Sequence, residues 1–203
     1  MMRPAVFLDK DGTLVEDVPY NVDPALLVFT RDAVEGLRRL QAAGFALLVV
    51  TNQPGIALGL FDHEALDRLR EGLVGRLAEH GVRLYGFHAC PHAPGADGRS
   101  LTCACRKPAP GLLLQAARIH RLDLRRSWMV GDILHDVEAG RRAGCRTVLL
   151  DVGHETEWLP GPLRTPHHRC STLLEAAEAI LGAEAPAAAG PTDAPPALAA
   201  LPL

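Results

Sequence analysis

The sequence predicts an α/β protein built on a doubly wound, mostly parallel sheet of the Rossmann-like kind. Two observations carry that prediction. Short apolar runs alternate along the chain with segments whose apolar residues recur at helical spacing, the order expected of βαβ units. The apolar runs are also followed closely by polar clusters, and in open α/β sheets ligands gather beyond the carboxyl ends of the strands.

Ala5–Leu8 is the first strand. Asp32–Ala43 follows as a helix, with Val34, Leu37 and Leu40 on one face and Gly44 as its stop. Phe45–Val50 is an unbroken apolar run, the pattern of a strand buried on both faces. Asp62 caps a helix that runs to His80 and carries Leu66, Leu69, Leu73 and Leu77 along its buried stripe. Val82–His88 reads as the third strand, and Pro110 suits the first turn of a helix reaching Ile119. Trp128–Val130 is a strand, Asp136–Ala143 a helix stopped by Gly144, and Arg146–Leu150 a further strand. Ser171 or Thr172, with Glu175 behind it, opens a last helix to Leu181. Residues 1–182 are expected to form one domain. From Ala183 to Leu203 the chain turns to Ala, Pro and Gly with almost no charge, which reads as a disordered tail.

The chain of 203 residues suits one such domain with a modest surplus. Hydrophobic residues make up 48% but aromatics only 4%, so Leu, Val and Ala must fill the core. A net charge of −3 argues against a nucleic-acid partner, which a strongly basic surface would signal. No run is long enough to span a membrane, and Met1-Met2-Arg3-Pro4 enters the first strand without an apolar leader. A cytoplasmic monomer with no membrane partner is expected. The five cysteines are an odd number, and Cys90, Cys103 and Cys105 are bunched, so they read as thiols in a reducing compartment rather than as a disulfide framework.

The polar clusters converge on one chemistry. Asp9 and Asp11 follow the first strand, "TNQPG" (Thr51 to Gly55) the second, and "GDILHD" with Asp132 and Asp136 the fourth, while Lys107 precedes the helix near Pro110. Phosphoryl transfer through a covalent intermediate needs a carboxylate nucleophile, a magnesium ion on oxygen ligands, a second cation and donors for the phosphoryl oxygens. It also needs an acid that protonates the leaving oxygen and then activates water. Asp9, Asp132, Lys107, Thr51 and Asp11 can fill those roles in turn. Singly, each piece has a plainer reading: a turn, a loop, or acids favouring a helix N-terminus. Their occurrence in order, each at an expected strand end or helix start, favours the chemistry.

"FLDKDGTLV", "TNQ", "RKPAPG" and "VGDILHDVEAG" resemble the four motifs of the haloacid-dehalogenase-superfamily phosphatases, from about Ala5 to Gly153. The resemblance implies Asp9 as nucleophile and Asp11 as acid/base. It implies magnesium on the Asp9 carboxylate, the Asp11 backbone carbonyl and Asp132, with Thr51 and Lys107 holding the phosphoryl group. Asp136 would support the metal's waters or Lys107.

Cys90, His92, Cys103 and Cys105 fall in a Pro/Gly-rich loop, residues 88–106, that ends at Lys107. Three sulfurs and one imidazole make a closed tetrahedral set suited to structural zinc. Unrelated buried thiols or a reducible disulfide are the plainer alternatives. Cys145 and Cys170 read as ordinary packing or surface residues. Within the superfamily the loop resembles that of the nearly capless heptose-bisphosphate and histidinol phosphatases. "EDVPYNVDP" (Glu16 to Pro24), "TNQPGIALGLF" and "CRKPAPG" are similar to the heptose branch. That likeness implies a small phosphorylated sugar as substrate: Arg106 on its second phosphate, and Asp17 to Tyr20 with Asn52, Gln53 and Pro54 along the sugar. Two positions depart from the pattern: Thr30-Arg31 where a Pro-Gly pair is usual, and His135 where Asn is common. Rival readings are a histidinol-phosphate phosphatase, a polynucleotide 3′-phosphatase with its similar "TNQ" motif, a phosphoacceptor signalling domain and a zinc-ribbon interaction module. The 3′-phosphatase would need a basic stripe with interleaved aromatics. Asp11 speaks for turnover over storage, and a zinc ribbon would not explain Asp132 or Lys107.

Overall fold

The computed structural model describes residues 2–95 and 103–184. The expected tail lies outside the described residues apart from its first two positions, which belong to the last helix. The elements run β1 (Ala5–Leu8), α1 (Ala33–Ala42), β2 (Ala46–Asn52), α2 (His63–Glu79), β3 (Leu84–Cys90), α3 (Gly111–His120), β4 (Trp128–Gly131), α4 (Leu134–Ala143), β5 (Arg146–Leu150), β6 (His168–Cys170) and α5 (Leu173–Glu184). The strands form one sheet in the order β3-β2-β1-β4-β5-β6, and every pairing in it is parallel. The chain winds outward from β1 through β2 to β3, then crosses back to β4 and outward to β6. That reversal puts the topological switch point at the ends of β1 and β4, where such sheets bind ligands.

Strand periodicity divides the core. Val6 and Leu8 of β1, with Leu47, Val49 and Val130, face the apolar stripes of α1, α2 and α5. Ala5 and Phe7, with Ala46, Leu48, Val50 and Met129, face α3 and α4. Phe7 and Leu8 are fully buried, each worth about 1.5–3 kcal/mol of transfer free energy. This anchors β1 on both faces, so the residues that leave its carboxyl end start from a rigid support. Asp62 accepts a hydrogen bond from the Ala65 N–H at 2.8 Å and caps α2 as expected. At α5, Thr172 Oγ1 accepts from the Glu175 N–H (3.1 Å), while Glu175 reaches back to the Ser171 N–H (2.7 Å). Among the described residues, no helix is long and apolar enough to cross a membrane.

Several element bounds differ from expectation. β2 continues through Thr51 and Asn52, and β3 starts two residues later than its apolar run and ends at Cys90, paired with Asn52. A register irregularity between Leu47 and Leu48 accompanies that shift. α4 begins at Leu134, two residues before the expected Asp136. β6 has no counterpart in the sequence reading: "HRC" is a short, polar edge strand held by β5 pairing rather than by an apolar run.

Candidate active site

Asp9 is still tied to the sheet, its N–H donating to the Val130 carbonyl of β4 at 3.0 Å. The chain then turns tightly. The Leu14 and Val15 N–H groups both donate to the Lys10 carbonyl at 3.0 Å, and Gly12 adopts φ +74°. A side chain at Gly12 is impossible without rearrangement, because a Cβ there would fall 2.2 Å from Asp132 Oδ2. The turn therefore presents Asp9 and Asp11 at the end of β1 and keeps the space beside them for Asp132.

Asp9 Oδ1 accepts the Lys10 N–H at 2.7 Å and lies 2.9 Å from Lys107 Nζ. The same ammonium is 2.6 Å from Asp136 Oδ1, and Lys107 and Asp136 are both buried. Burial works against the Lys107 charge, but Asp136 and Asp9 outweigh it and hold the ammonium above its ordinary range. Lys107 is fixed from behind by β2: Asn52 Oδ1 accepts its N–H (3.0 Å), and Asn52 Nδ2 donates to its carbonyl (3.1 Å). Asp132, just past β4, accepts from the Thr13 hydroxyl at 2.9 Å and contacts His154 Nδ1 at 2.7 Å. Burial, then the neighbouring charge of Asp9, pushes its carboxyl up to about 6. Burial likewise pushes Asp136 upward, with the Lys107 charge opposing.

Carboxylate atoms of Asp9, Asp132 and Asp136 lie within 4.8 Å of one another. Three carboxylates against the one ammonium of Lys107 leave two negative charges, which one divalent cation would neutralise. An all-oxygen donor set of this kind suits a hard cation such as magnesium.

Asp11 is clamped on both oxygens. Lys10 Nζ sits 2.8 Å from Oδ1, and Gln53 Nε2 donates to Oδ2 at 3.1 Å and to Thr51 Oγ1 at 3.0 Å. Burial raises the Asp11 carboxyl above its usual range even though Lys10 pulls the other way. That is the direction required of a group that must deliver a proton.

These residues open onto a cavity of about 410 Å³. Asp9, Asp11, Thr51, Lys107 and Asp132 line it, together with Asp17, Tyr20, Asn52, Gln53 and Arg106. These residues thus meet in one place, with Asp136 joined to them through Lys107, while Val18 is not among the lining residues. Asn52 and Gln53 spend their amides on neighbouring groups, so their part is to hold Lys107, Asp11 and Thr51. Lys10, Thr13 and His154 were not singled out from the sequence. Lys10 carried one signal, a lysine set between two acids and now 1% exposed. His154 carried none, since its partner is 22 residues away in a different loop.

Beside this cavity, Cys90, His92, Cys103 and Cys105 form a cluster whose ligand atoms all lie within 4.8 Å and could hold a metal. Their separations run from 3.1 Å (Cys90 to Cys105) through 3.3 Å (Cys103 to Cys105; His92 Nδ1 to Cys105) to 3.6 Å (Cys90 to Cys103). Zn–S bonds of about 2.3 Å would place tetrahedral sulfurs roughly 3.8 Å apart, a small expansion of the set. The segment between His92 and Cys103 lies partly outside the described residues. The cluster touches the site from two sides: the Cys90 carbonyl accepts the Gln53 N–H at 2.8 Å, and Cys103 Sγ accepts the Arg106 N–H at 3.3 Å.

Residues 104–176 match the HAD-hydrolase-like family. A D-glycero-beta-D-manno-heptose-1,7-bisphosphate 7-phosphatase of Yersinia pestis is 43% identical over 151 residues, covering 72% of this chain and 79% of the relative. The enzyme of the same name from Escherichia coli K12 is 40% identical over 149 residues, covering 72% of this chain and 78% of its own. A crystal structure of D,D-heptose 1,7-bisphosphate phosphatase from B. bronchiseptica, complexed with magnesium and phosphate, superposes with a TM-score of 0.72 at 30% identity. It covers 89% of this chain and 99% of that one.

Proposed function

The chain belongs to the D-glycero-beta-D-manno-heptose-1,7-bisphosphate 7-phosphatases, a branch of the HAD-like hydrolases, and from that premise we propose how its residues remove the C7 phosphate of a heptose 1,7-bisphosphate. The observation that carries the assignment is the convergence on one strand end of Asp9, the Lys107 ammonium at 2.9 Å, and Asp11 held by Lys10 and Gln53.

Asp9 attacks phosphorus and the bond to the C7 oxygen breaks, giving an aspartyl-phosphate. Asp11 donates its proton to the departing alkoxide, then takes one from water as that water attacks the aspartyl-phosphate and frees inorganic phosphate. Lys107 lies where it can meet the phosphoryl oxygens, and Asn52 keeps it there. Thr51 Oγ1 accepts from Gln53, so its own O–H is available to donate to the phosphoryl group. Magnesium held by the Asp9 carboxylate, the Asp11 backbone carbonyl and Asp132 would supply the countercharge for bringing a phosphate to a carboxylate.

Substrate choice rests on the rim. Arg106 donates one N–H to the His92 carbonyl at 3.1 Å and lines the cavity, so its guanidinium keeps further donors for a ligand. A planar guanidinium suits a second phosphate, and Asp17 and Tyr20, which line the same cavity, are available for sugar hydroxyls. Histidinol phosphate would bring a cationic amine towards Arg106 and be repelled. Zinc is the metal proposed for the four-residue cluster, which fixes the loop carrying Arg106 and Lys107.

Phosphate release with magnesium, measured on heptose 1,7-bisphosphate, histidinol phosphate and 3′-phosphorylated DNA, tests the assignment. The bisphosphate should give the highest kcat/KM, Asp9→Asn should abolish turnover, and Arg106→Ala should weaken the bisphosphate far more than an aryl phosphate. A preference for histidinol phosphate, or near-normal activity of pure Asp9→Asn, would overturn it.

A further inference from the structure

His154 belongs to none of the four motifs, yet it contacts a residue of the site. It lies in the loop after β5 and lines the catalytic cavity, with Nδ1 2.7 Å from Asp132 Oδ2. The other oxygen of Asp132 accepts from the buried Thr13 hydroxyl. Both carboxylate oxygens are thereby fixed by donors from separate segments. An ionised carboxylate only accepts, so the proton in this contact resides on His154 Nδ1.

The loop itself is anchored. Glu155 Oε2 accepts the Leu134 N–H at the start of α4 at 2.7 Å, a position where a carboxylate also meets the positive end of the helix dipole. Glu155 Oε1 accepts the N–H groups of Glu157 (2.9 Å) and Trp158 (3.3 Å), which closes the loop on itself. Gly12 completes the arrangement: a Cβ at that position would stand 2.5 Å from His154 Nδ1. The nucleophile turn therefore has space reserved for the histidine as well as for Asp132.

We propose that His154 is a positioning residue for the metal-binding carboxylate, orienting Asp132 for magnesium through its Nδ1–H while Glu155 holds the loop against α4. The inference rests on the reading of Asp132 as a magnesium ligand. Hydrogen-bond partners of metal-ligating side chains commonly contribute 10–100-fold to metal affinity, because a carboxylate held in its binding rotamer loses less freedom when the ion arrives.

The test is magnesium binding to the full chain without substrate, followed by titration calorimetry, beside thermal unfolding in magnesium-free buffer. His154→Ala should weaken magnesium by about 10–100-fold and still unfold in a single cooperative transition in magnesium-free buffer. His154→Asn should recover most of the affinity, since its amide N–H can donate from nearly the same place. Glu155→Ala should weaken binding in the same direction by a smaller factor, and it serves independently if His154→Ala fails to fold. Magnesium affinity of His154→Ala within twofold of wild type, or tighter, would overturn the proposal. So would unchanged affinity with a raised KM, which would make His154 a substrate contact. Wild-type affinity in Asp132→Asn would instead overturn the ligand reading, and the inference with it.

Discussion

At Asp11 the two carboxylate oxygens meet different partners, a buried ammonium and a buried amide, and both come from residues with no contact to the phosphoryl group in the proposed chemistry. The proposed acid/base would have to face first the leaving oxygen and then water without changing its place, so on that reading its clamp belongs to the catalyst. Lys10→Met removes the cation and leaves Gln53 as the remaining clamp. Turnover should fall by at least about 10-fold, a fraction of the 10²–10⁴ that acid–base catalysis supplies, with KM changing less and Lys10→Arg restoring part of the loss. Steady-state kinetics on the sugar bisphosphate measures this, and a kcat within twofold of wild type would show that Gln53 alone suffices. The acids, Lys107 and the cysteine cluster were legible because each sits in a short pattern beside an apolar run. Thr13 and His154 were not, because what makes them matter is a hydrogen bond to Asp132 across 119 and 22 residues, and a contact of that span leaves no local period.

Among the elements, β3 links the cysteine cluster to the site. Cys90 is the last residue of β3 and pairs with Asn52 of β2, so the first ligand of the cysteine cluster stands directly beside the residue that grips Lys107. The chain returns through Cys103 and Cys105 to Arg106 and Lys107, so the cluster joins the end of β3 to the segment that carries Lys107. Cys103→Ser should lose the metal, lower kcat/KM by about 10-fold or more through the displacement of Lys107 and Arg106, and lower Tm by about 5–10 °C if 2–3 kcal/mol of ordering is lost. Metal analysis beside a melting curve checks this; a zinc-free variant with wild-type activity and Tm would remove the structural role. The position of Cys90 was not legible from the apolar run Val82–His88, because β3 is an edge strand whose residues before Cys90 are only partly buried. Its ends are set by pairing with β2 rather than by its own pattern. For the same reason β6 escaped notice, while β1, β2, β4 and β5, buried on both faces, were plain from their apolar runs.

Across the whole molecule, a chain with a net charge of only −3 gathers Asp9, Asp132 and Asp136 at one switch point and supplies a single ammonium among them. Without a divalent cation that concentration of charge must oppose folding, and Asp132 makes the effect measurable. Its folded-state carboxyl is pushed up to about 6 by burial and by Asp9, against about 3.9 when unfolded. The folded state therefore binds this proton more tightly than the unfolded chain does. The resulting stability is fully present below about pH 4 and lost as pH rises through about 6. At pH 7.5 the ionised group costs about 3 kcal/mol, which Asp132→Asn avoids while keeping a similar shape. In magnesium-free buffer at that pH the variant should melt about 5–10 °C above wild type. At pH 5, where wild-type Asp132 is mostly protonated when folded, the difference in stability should shrink by about half. Added magnesium should raise the melting temperature of the wild type, by mass action on the folded state, and leave Asp132→Asn nearly unmoved. Thermal melts of both proteins at the two pH values, with and without magnesium, give the answer. A variant no more stable than wild type at pH 7.5, or a gap that does not narrow on acidification, would mean that the carboxylates are already neutralised within the fold.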